Sequence, residues 1–365
     1  MIQWREGRVV ASVREWEGAL ELGVEVYDPG TGRWVACSAL AYPALVGRPH
    51  VGDRVLLNTA ALERRLGTGG YALVIGRPGL PREGLALGPG HLVKARYTPQ
   101  QAMVQGVDEQ DSPHHPVLAD ADDLLGMPVV VVDLHSSLPA VVAGARSRRP
   151  DVRVAYVMTD GGALPAWFSR TAAGLRAAGW LAATVTAGQA FGGDLEAVTV
   201  HTALLAARLV LGADLAVVGQ GPGNLGTGTR WGFSGVAAGE AVNAAGVLHG
   251  RPVACLRLSA ADPRERHHGV SHHSLTAYGR VALLPADVVL PSLPGPFGDL
   301  VRAQAATLGP PSGRHRLVEV PVGGLRAALD ACPVPLSTMG RDVDGDEPAF
   351  LAAAAAGVHA ASLLP

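Results

Sequence analysis

From residue 127 to the C-terminus, short apolar runs alternate with helix-periodic stretches, and this alternation admits few folds. MPVVVVDL, VRVAYVMT, LAATVTA, DLAVVG, PVACLRLS, DVVLP and RLVEVPV, with a weaker VPLSTMG, predict about eight strands. LPAWFSRTAAGLRAAG and AVTVHTALLAARLVLG are two of the helical stretches between them. Strand and helix in alternation imply parallel pairing through right-handed crossovers. Near-continuous apolar strands imply a sheet covered on both faces. Because the units vary in length, the expectation is an open, doubly wound α/β sheet, with a closed (β/α)8 barrel as the alternative. Both architectures place function at the carboxyl ends of the strands.

The first 90 residues follow a different grammar. REGRVVASV, ALELGVEVYD, RWVACSALAYP, VGDRVLLNT and GTGGYALVIG are short alternating runs, and DPGTGR is a turn signal. They predict a small β-barrel-like domain over residues 1–90, ending in the Pro/Gly-rich linker RPGLPREGLALGPG. Residues 91–126 form a bridging segment, and residues 127–365 the parallel α/β domain.

Hydrophobic residues make up 48% of the chain and charged ones 17%, which excludes a disordered chain. No apolar run reaches the length of a bilayer crossing, and MIQWREGRVV lacks the apolar core of a signal peptide. A cytoplasmic protein without a membrane partner is expected. A net charge of −2 without long runs of one sign argues against a nucleic-acid partner. Lys94 is the single lysine among 30 basic residues, so the arginine richness reads as coding bias before it reads as a phosphate signature. Cys37, Cys255 and Cys332 match no zinc or redox spacing, and Cys255 in PVACLRL reads as a core thiol. Homo-oligomerisation stays open.

The most glycine-rich stretch is DLAVVGQGPGNLGTGTRWGFSG, residues 214–235. A buried strand runs into a loop and then into a helix from about Val236. Glycines allow close backbone approach, and a helix start offers unpaired N–H groups. Gly221, Gly223, Asn224, Gly226, Thr227, Gly228 and Thr229 are therefore candidate anion-binding positions, with Arg230 as charge partner. Gly221-x-Gly223-x-x-Gly226 nominally matches the dinucleotide fingerprint. The next strand, however, ends at Leu258-Ser259 without the ribose-binding acid, so an NAD-type dinucleotide is not expected. No Walker lysine is present either.

Other polar groups follow the remaining strands. Asp133, His135, Ser136 and Ser137 come after the first, Asp160 after the second and Asp194 after the third. RERHHGVSHHSLTAYG carries four of the chain's 13 histidines. Ser271 there reads as an N-cap that puts His272 and His273 in a first helical turn, where the imidazoles stay neutral. His268, His272 and Asp262 form a candidate divalent-metal set, and Arg264 a second charge partner. DEQDSPHH reads as a loop reaching into the same crevice with His114 or His115 as acid/base group or ligand, or else as an interdomain hinge with a helix-breaking Ser-Pro. His135, Asp160, His272 and His273 complete the candidate catalytic set. DVDGDE near the C-terminus reads as a solvated turn, because its spacing fails that of a calcium loop.

At DEQDSPHH, VMTDGGALP, AFGGDLEAV, GPGNLGTGTRWGFSG and GVSHHSLTA the chain resembles a bacterial family, domain of unknown function 3866, over most of its length. The resemblance implies no activity and no catalytic residue. From the residues alone the expectation is a hydrolase or group transferase acting on a small phosphate- or carboxylate-bearing substrate. The alternative is a non-catalytic ligand-binding or regulatory protein.

Overall fold

The computed structural model describes residues 2–28, 30–64, 69–78 and 88–365. It contains two compact units, residues 1–89 with 93–104, and residues 90–92 with 105–365. Most of the expected linker, residues 79–87, lies outside the described residues.

The first unit is a closed five-stranded barrel of β1 (Trp4–Trp16), β2 (Ala19–Asp28), β3 (Arg33–Ala41), β4 (Arg54–Asn58) and β5 (Tyr71–Gly76). Its order is β1-β2-β3-β5-β4, and β1 closes the ring by pairing with β4. Side chains alternate along each strand, so Leu20, Leu22, Val24 and Val26 of β2 enter the core.

The second unit is built on eight parallel strands. These are β6 (Pro128–Val131), β7 (Val154–Thr159), β8 (Ala183–Thr186), β9 (Leu195–Glu196), β10 (Leu215–Gln220), β11 (Arg251–Cys255), β12 (Asp287–Ser292) and β13 (Arg316–Pro321). They lie in the order β9-β8-β7-β10-β6-β11-β12-β13, an open sheet and not a closed barrel. Val129–Val131 and the whole of β10 are buried, as a sheet covered on both faces requires.

The expected eighth strand, VPLSTMG, is not one. Pro333 and Pro335 remove ladder donors there, and the segment keeps only a bridge between Thr338 and Arg341. The eighth strand is instead the two-residue β9, inside AFGGDLEAV, which pairs with the edge of β8.

The helices are α1 (Leu138–Arg148), α2 (Arg170–Ala177), α3 (Val200–Leu205), α4 (Ala237–Val247), α5 (His272–Thr276), α6 (Gly295–Ala305), α7 (Leu325–Asp330) and α8 (Glu347–Ser362). Both α3 and α5 continue into π-helical turns, Ala206–Val210 and Ala277–Val281. Connections step across the sheet in one direction from β6 to β9 and in the other from β9 to β13. Right-handed crossovers therefore put α1 and α2 on one face and α3 to α6 on the other. The last two helices return to α1, and α8 packs closely along it. A Cβ on Gly357 would fall 2.0 Å from the carbonyl oxygen of Val141, and one on Gly144 would fall 2.0 Å from that of Ala354.

The direction of winding reverses around β10. Its loop leaves toward one face while the loops after β6 and β7 leave toward the other, which opens a crevice at their carboxyl ends. Residues 105–126 belong to this unit. Val107 N–H donates to the Glu196 carbonyl at 2.7 Å, and Leu124 N–H to that of Leu248 at 2.8 Å. No helix among the described residues is long and apolar enough to cross a membrane.

Candidate functional site

Asp133 follows the apolar run of β6 and is 2% exposed. Burial pushes its carboxyl up from the ordinary range, and the positive charge of Arg257 opposes that shift. Its Oδ2 has no hydrogen-bond partner. Gln220, ending β10, donates from Nε2 to the Asp133 carbonyl at 2.9 Å and to Asn224 Oδ1 at 2.8 Å, while its own Oε1 stays unpartnered. Gly235 packs closely opposite, where a Cβ would stand 3.0 Å from the Asp133 carbonyl oxygen.

The glycine-rich loop is folded on itself. Gly226 pairs with Phe233, and Thr227 N–H donates to the Gly232 carbonyl at 2.7 Å. Leu225 N–H is capped by Ser234 Oγ at 3.0 Å, Ser234 also donates to Asn224 Oδ1, and Gly232 N–H binds Thr229 Oγ1. Those N–H groups are thus engaged within the loop. Gly221 packs under the second loop, where a Cβ would meet the Ala163 carbonyl oxygen at 2.5 Å, and Gly223 at φ 96° makes the turn away from it. Of this loop, Gly228 and Arg230 line a cleft beside it.

After β11 the chain makes an excursion closed by antiparallel pairing of Leu258–Ser259 with Gly269–Val270. This excursion and the first turn of α5 bring His267, His272 and His273 together. One ring nitrogen from each lies within 4.8 Å of the others. Ser271 caps α5 as expected, accepting from His273 N–H at 3.2 Å. The same Oγ lies 2.8 Å from His267 Nδ1. Arg257 Nη1 lies 3.3 Å from His273 Nδ1, and Phe233 of the glycine loop stacks on the His273 ring.

Burial, reinforced by the charge of Arg257, holds both His267 and His273 down to about 3. Burial and then the Arg266 charge lower His272. All three rings are therefore neutral at neutral pH, and His272 Nε2 is buried without a partner.

His272 also lines a cleft of about 680 Å³ with Arg230, Arg266 and Arg280. Arg266 reaches Gly228, where its Nη2 would stand 3.7 Å from a Cβ. His272, Leu275, Thr276, Gly279 and Arg280 line the cleft at helical spacing, so one side of α5 and its π turn forms a wall. None of the three arginines has a carboxylate within ion-pair distance among the described residues. Elsewhere in the unit arginines pair with acids, as Arg176 does with Asp194.

The other expected site residues lie apart from this cleft. His135 is held between Tyr156 Oη at 3.0 Å and Ser169 Oγ at 2.7 Å. Asp160 accepts from Gln189 N–H, and Asp194 from Thr184 N–H. His114 and His115 stand where the turn His115–Leu118 packs against Ala206–Val210, with His115 Nδ1 on the Asp108 carbonyl at 2.8 Å.

His268 turns its ring edge toward Phe297 and is not one of the three clustered histidines. Asp262 is clamped by Arg264 through two bonds, at 2.9 and 2.7 Å, which occupies both proposed partners with each other. Ser136 and Ser137 do not cap α1, and Ser136 instead meets Thr338 Oγ1 at 2.9 Å. Asp346 of DVDGDE is no solvated turn residue. It is buried and receives Ser259 Oγ, Ala260 N–H and Arg341 Nε.

From the sequence, Asp133, Arg266 and His267 stand only among the polar groups that follow strands, without a role, and Arg280 is not among them. Arg280 carried one usable signal, since it lies eight residues after His272 on the same helical stripe. No curated protein and no solved structure matches the chain. One family model does match, over residues 38–357, under the description "protein of unknown function (DUF3866)". With most of its length covered, the chain belongs to the DUF3866 family.

Proposed function

We propose that the protein is an enzyme that binds a small phosphate- or carboxylate-bearing molecule in the cleft of Arg230, Arg266 and Arg280, and acts on it by hydrolysis or group transfer. The observation that carries this reading is that three arginines, without acidic partners among the described residues, line one concave surface that also holds a neutral imidazole. Guanidinium groups present forked donors matched to carboxylate and phosphate oxygens. Neutral imidazole can take up a proton or ligate a cation, and perturbed histidines in a cleft favour chemistry over simple binding. Gly228, Arg230, Arg266 and His272 of the cleft lining follow the carboxyl ends of β10 and β11, the side on which open α/β sheets bind ligands.

The test is calorimetric titration with inorganic phosphate, pyrophosphate and citrate, followed by a screen for release of phosphate from small esters. Saturable binding that weakens in Arg266→Ala supports the reading, and absence of binding to all three anions in low salt sinks it. A second reading, a regulatory ligand-binding protein, draws on the exposed Tyr27–Trp34 pair of the barrel, whose ring centroids are 5.7 Å apart. Anion binding without turnover of any phosphate or carboxylate ester would favour it.

A further inference from the structure

We infer that His267, His272 and His273 form a binding site for one divalent transition-metal ion of the zinc class. The inference deepens the anion-site reading, and rests on it only for what the metal does there. Three imidazoles whose ligand atoms lie within 4.8 Å of one another are the protein part of a three-histidine centre. A metal at about 2.0–2.1 Å from each nitrogen would draw them to roughly 3.4 Å apart, a small rotation of the rings.

Two independent details point the same way. His272 Nε2 is buried with no hydrogen-bond partner, and an orphaned ring nitrogen is costly unless something binds it. His267 Nδ1 lies 2.8 Å from Ser271 Oγ, the outer-shell contact that leaves Nε2 with its lone pair facing a metal. The same hydroxyl caps α5, so one serine fixes both the helix start and a ligand ring.

His273 has one lone pair, which now faces Arg257 Nη1 at 3.3 Å. Ligation uses that lone pair and releases the guanidinium to Asp133, whose Oδ2 is unpartnered and whose charge Arg257 already feels. Nitrogen-only ligands select zinc, cobalt, nickel, iron or copper over magnesium and calcium, which take oxygen. Three protein ligands would leave room on the ion for water or for an oxygen of an anion held by Arg230 and Arg266, and the chemistry it would supply there is Lewis-acid polarisation.

The experiment is metal analysis of the full-length protein, with Co²⁺ titration followed by visible absorption. Expected are one Co²⁺ per chain with ligand-field bands, displacement by Zn²⁺ and none by Mg²⁺. His267→Ala and His272→Ala should each weaken Co²⁺ binding at least tenfold, and His268→Ala should leave it unchanged. Wild-type protein that binds no Co²⁺ stoichiometrically overturns the inference without reference to any variant. So does displacement by Mg²⁺, or equal affinity in folded His267→Ala. Arg266→Ala separates the two readings: retained Co²⁺ with lost phosphate binding supports both. Lost phosphate binding in Arg266→Ala with no metal in either protein leaves the anion site standing and removes the metal.

Discussion

The His273 imidazole lies flat on the Phe233 ring, with centroids 3.8 Å apart and planes 2° from parallel. This contact ties the end of the glycine-rich loop, which carries Arg230, to the first turn of α5. Replacing Phe233 by Leu keeps an apolar side chain in a site only 4% exposed but removes the ring–ring interaction. The expected cost is about 1 kcal/mol. It should appear as a lower urea midpoint at unchanged slope, with weaker phosphate binding. Wild-type anion affinity in Phe233→Leu would show that the stack does not position the loop.

Arg266 and Arg280 both line the cleft, Arg280 from its helical wall and Arg266 from the turn before it. A charge-assisted hydrogen bond to an anion is worth about 1.5–3 kcal/mol. Arg266→Ala and Arg280→Ala should therefore each weaken pyrophosphate binding by roughly tenfold to a hundredfold. The wild-type affinity should also fall as salt is raised, since the cleft is open to solvent. Arg264→Ala is the control. Its guanidinium is taken up by Asp262, and it should change stability more than anion affinity. Calorimetry at two ionic strengths measures all three.

The alternation of apolar runs carried the parallel open sheet and the small barrel, because burial on two faces or one leaves a period in the sequence itself. Strand order did not follow, since nothing local says that β10 inserts between β6 and β7. In the site, Ser271 was legible as a cap because its partner lies two residues away. Asp346 was misread because its partners, Ser259 and Ala260, lie 87 and 86 residues earlier. The glycine loop looked like an open cradle, for its composition does not reveal that Asn224 and Ser234 close it. His268 and not His267 was placed in the expected metal set, since only the excursion after β11 decides which of two adjacent rings turns inward.

His135 makes stability depend on pH. Its ring sits between Tyr156 Oη at 3.0 Å on Nδ1 and Ser169 Oγ at 2.7 Å on Nε2, and Tyr156 Oη itself reaches the Gly219 and Gln220 carbonyls. Burial holds this imidazole down to about 4, below its unfolded value. A depressed folded value means the contribution is whole above about 6.5 and is lost as pH falls toward 4. His135→Gln should therefore flatten the stability profile between pH 6.5 and 4. The difference would be at most about 2 kcal/mol, because the residue is only half-buried. Urea unfolding at pH 7 and 4.5 reads the difference, and parallel profiles for the two proteins would refute the assignment.

Asp346 holds three donors from two separate segments. Its Oδ2 receives Ser259 Oγ at 2.5 Å and Arg341 Nε at 3.1 Å, and its Oδ1 receives Ala260 N–H at 2.9 Å. Asp346→Ala leaves a guanidinium and an N–H without their acceptor beside the start of the excursion that carries His267. Breaking a buried pair from one side costs about 3–5 kcal/mol. The double variant Asp346→Ala, Arg341→Met should recover part of that loss, because the unmatched charge is gone. A double-mutant cycle in urea measures it, and strictly additive losses would mean that the two residues do not interact.

The contact between α1 and α8 makes the sharpest packing prediction. Ala352, Ala353, Ala354, Ala355 and Ala356 are all buried, and small side chains let the two helices approach until Gly357 touches backbone. At 2.0 Å from the Val141 carbonyl oxygen, a Cβ there cannot be relieved by turning a side chain, so the helices must separate. Gly357→Val should destabilise the second unit by at least about 1–3 kcal/mol. Gly340→Ala tests the other source of glycine preference: its φ is 78° and nothing lies within 4 Å of the Cβ position. That loss should be about 1 kcal/mol, from backbone conformation alone. Thermal unfolding ranks the two, and an equal or smaller loss in Gly357→Val would mean that the α1–α8 contact relaxes freely.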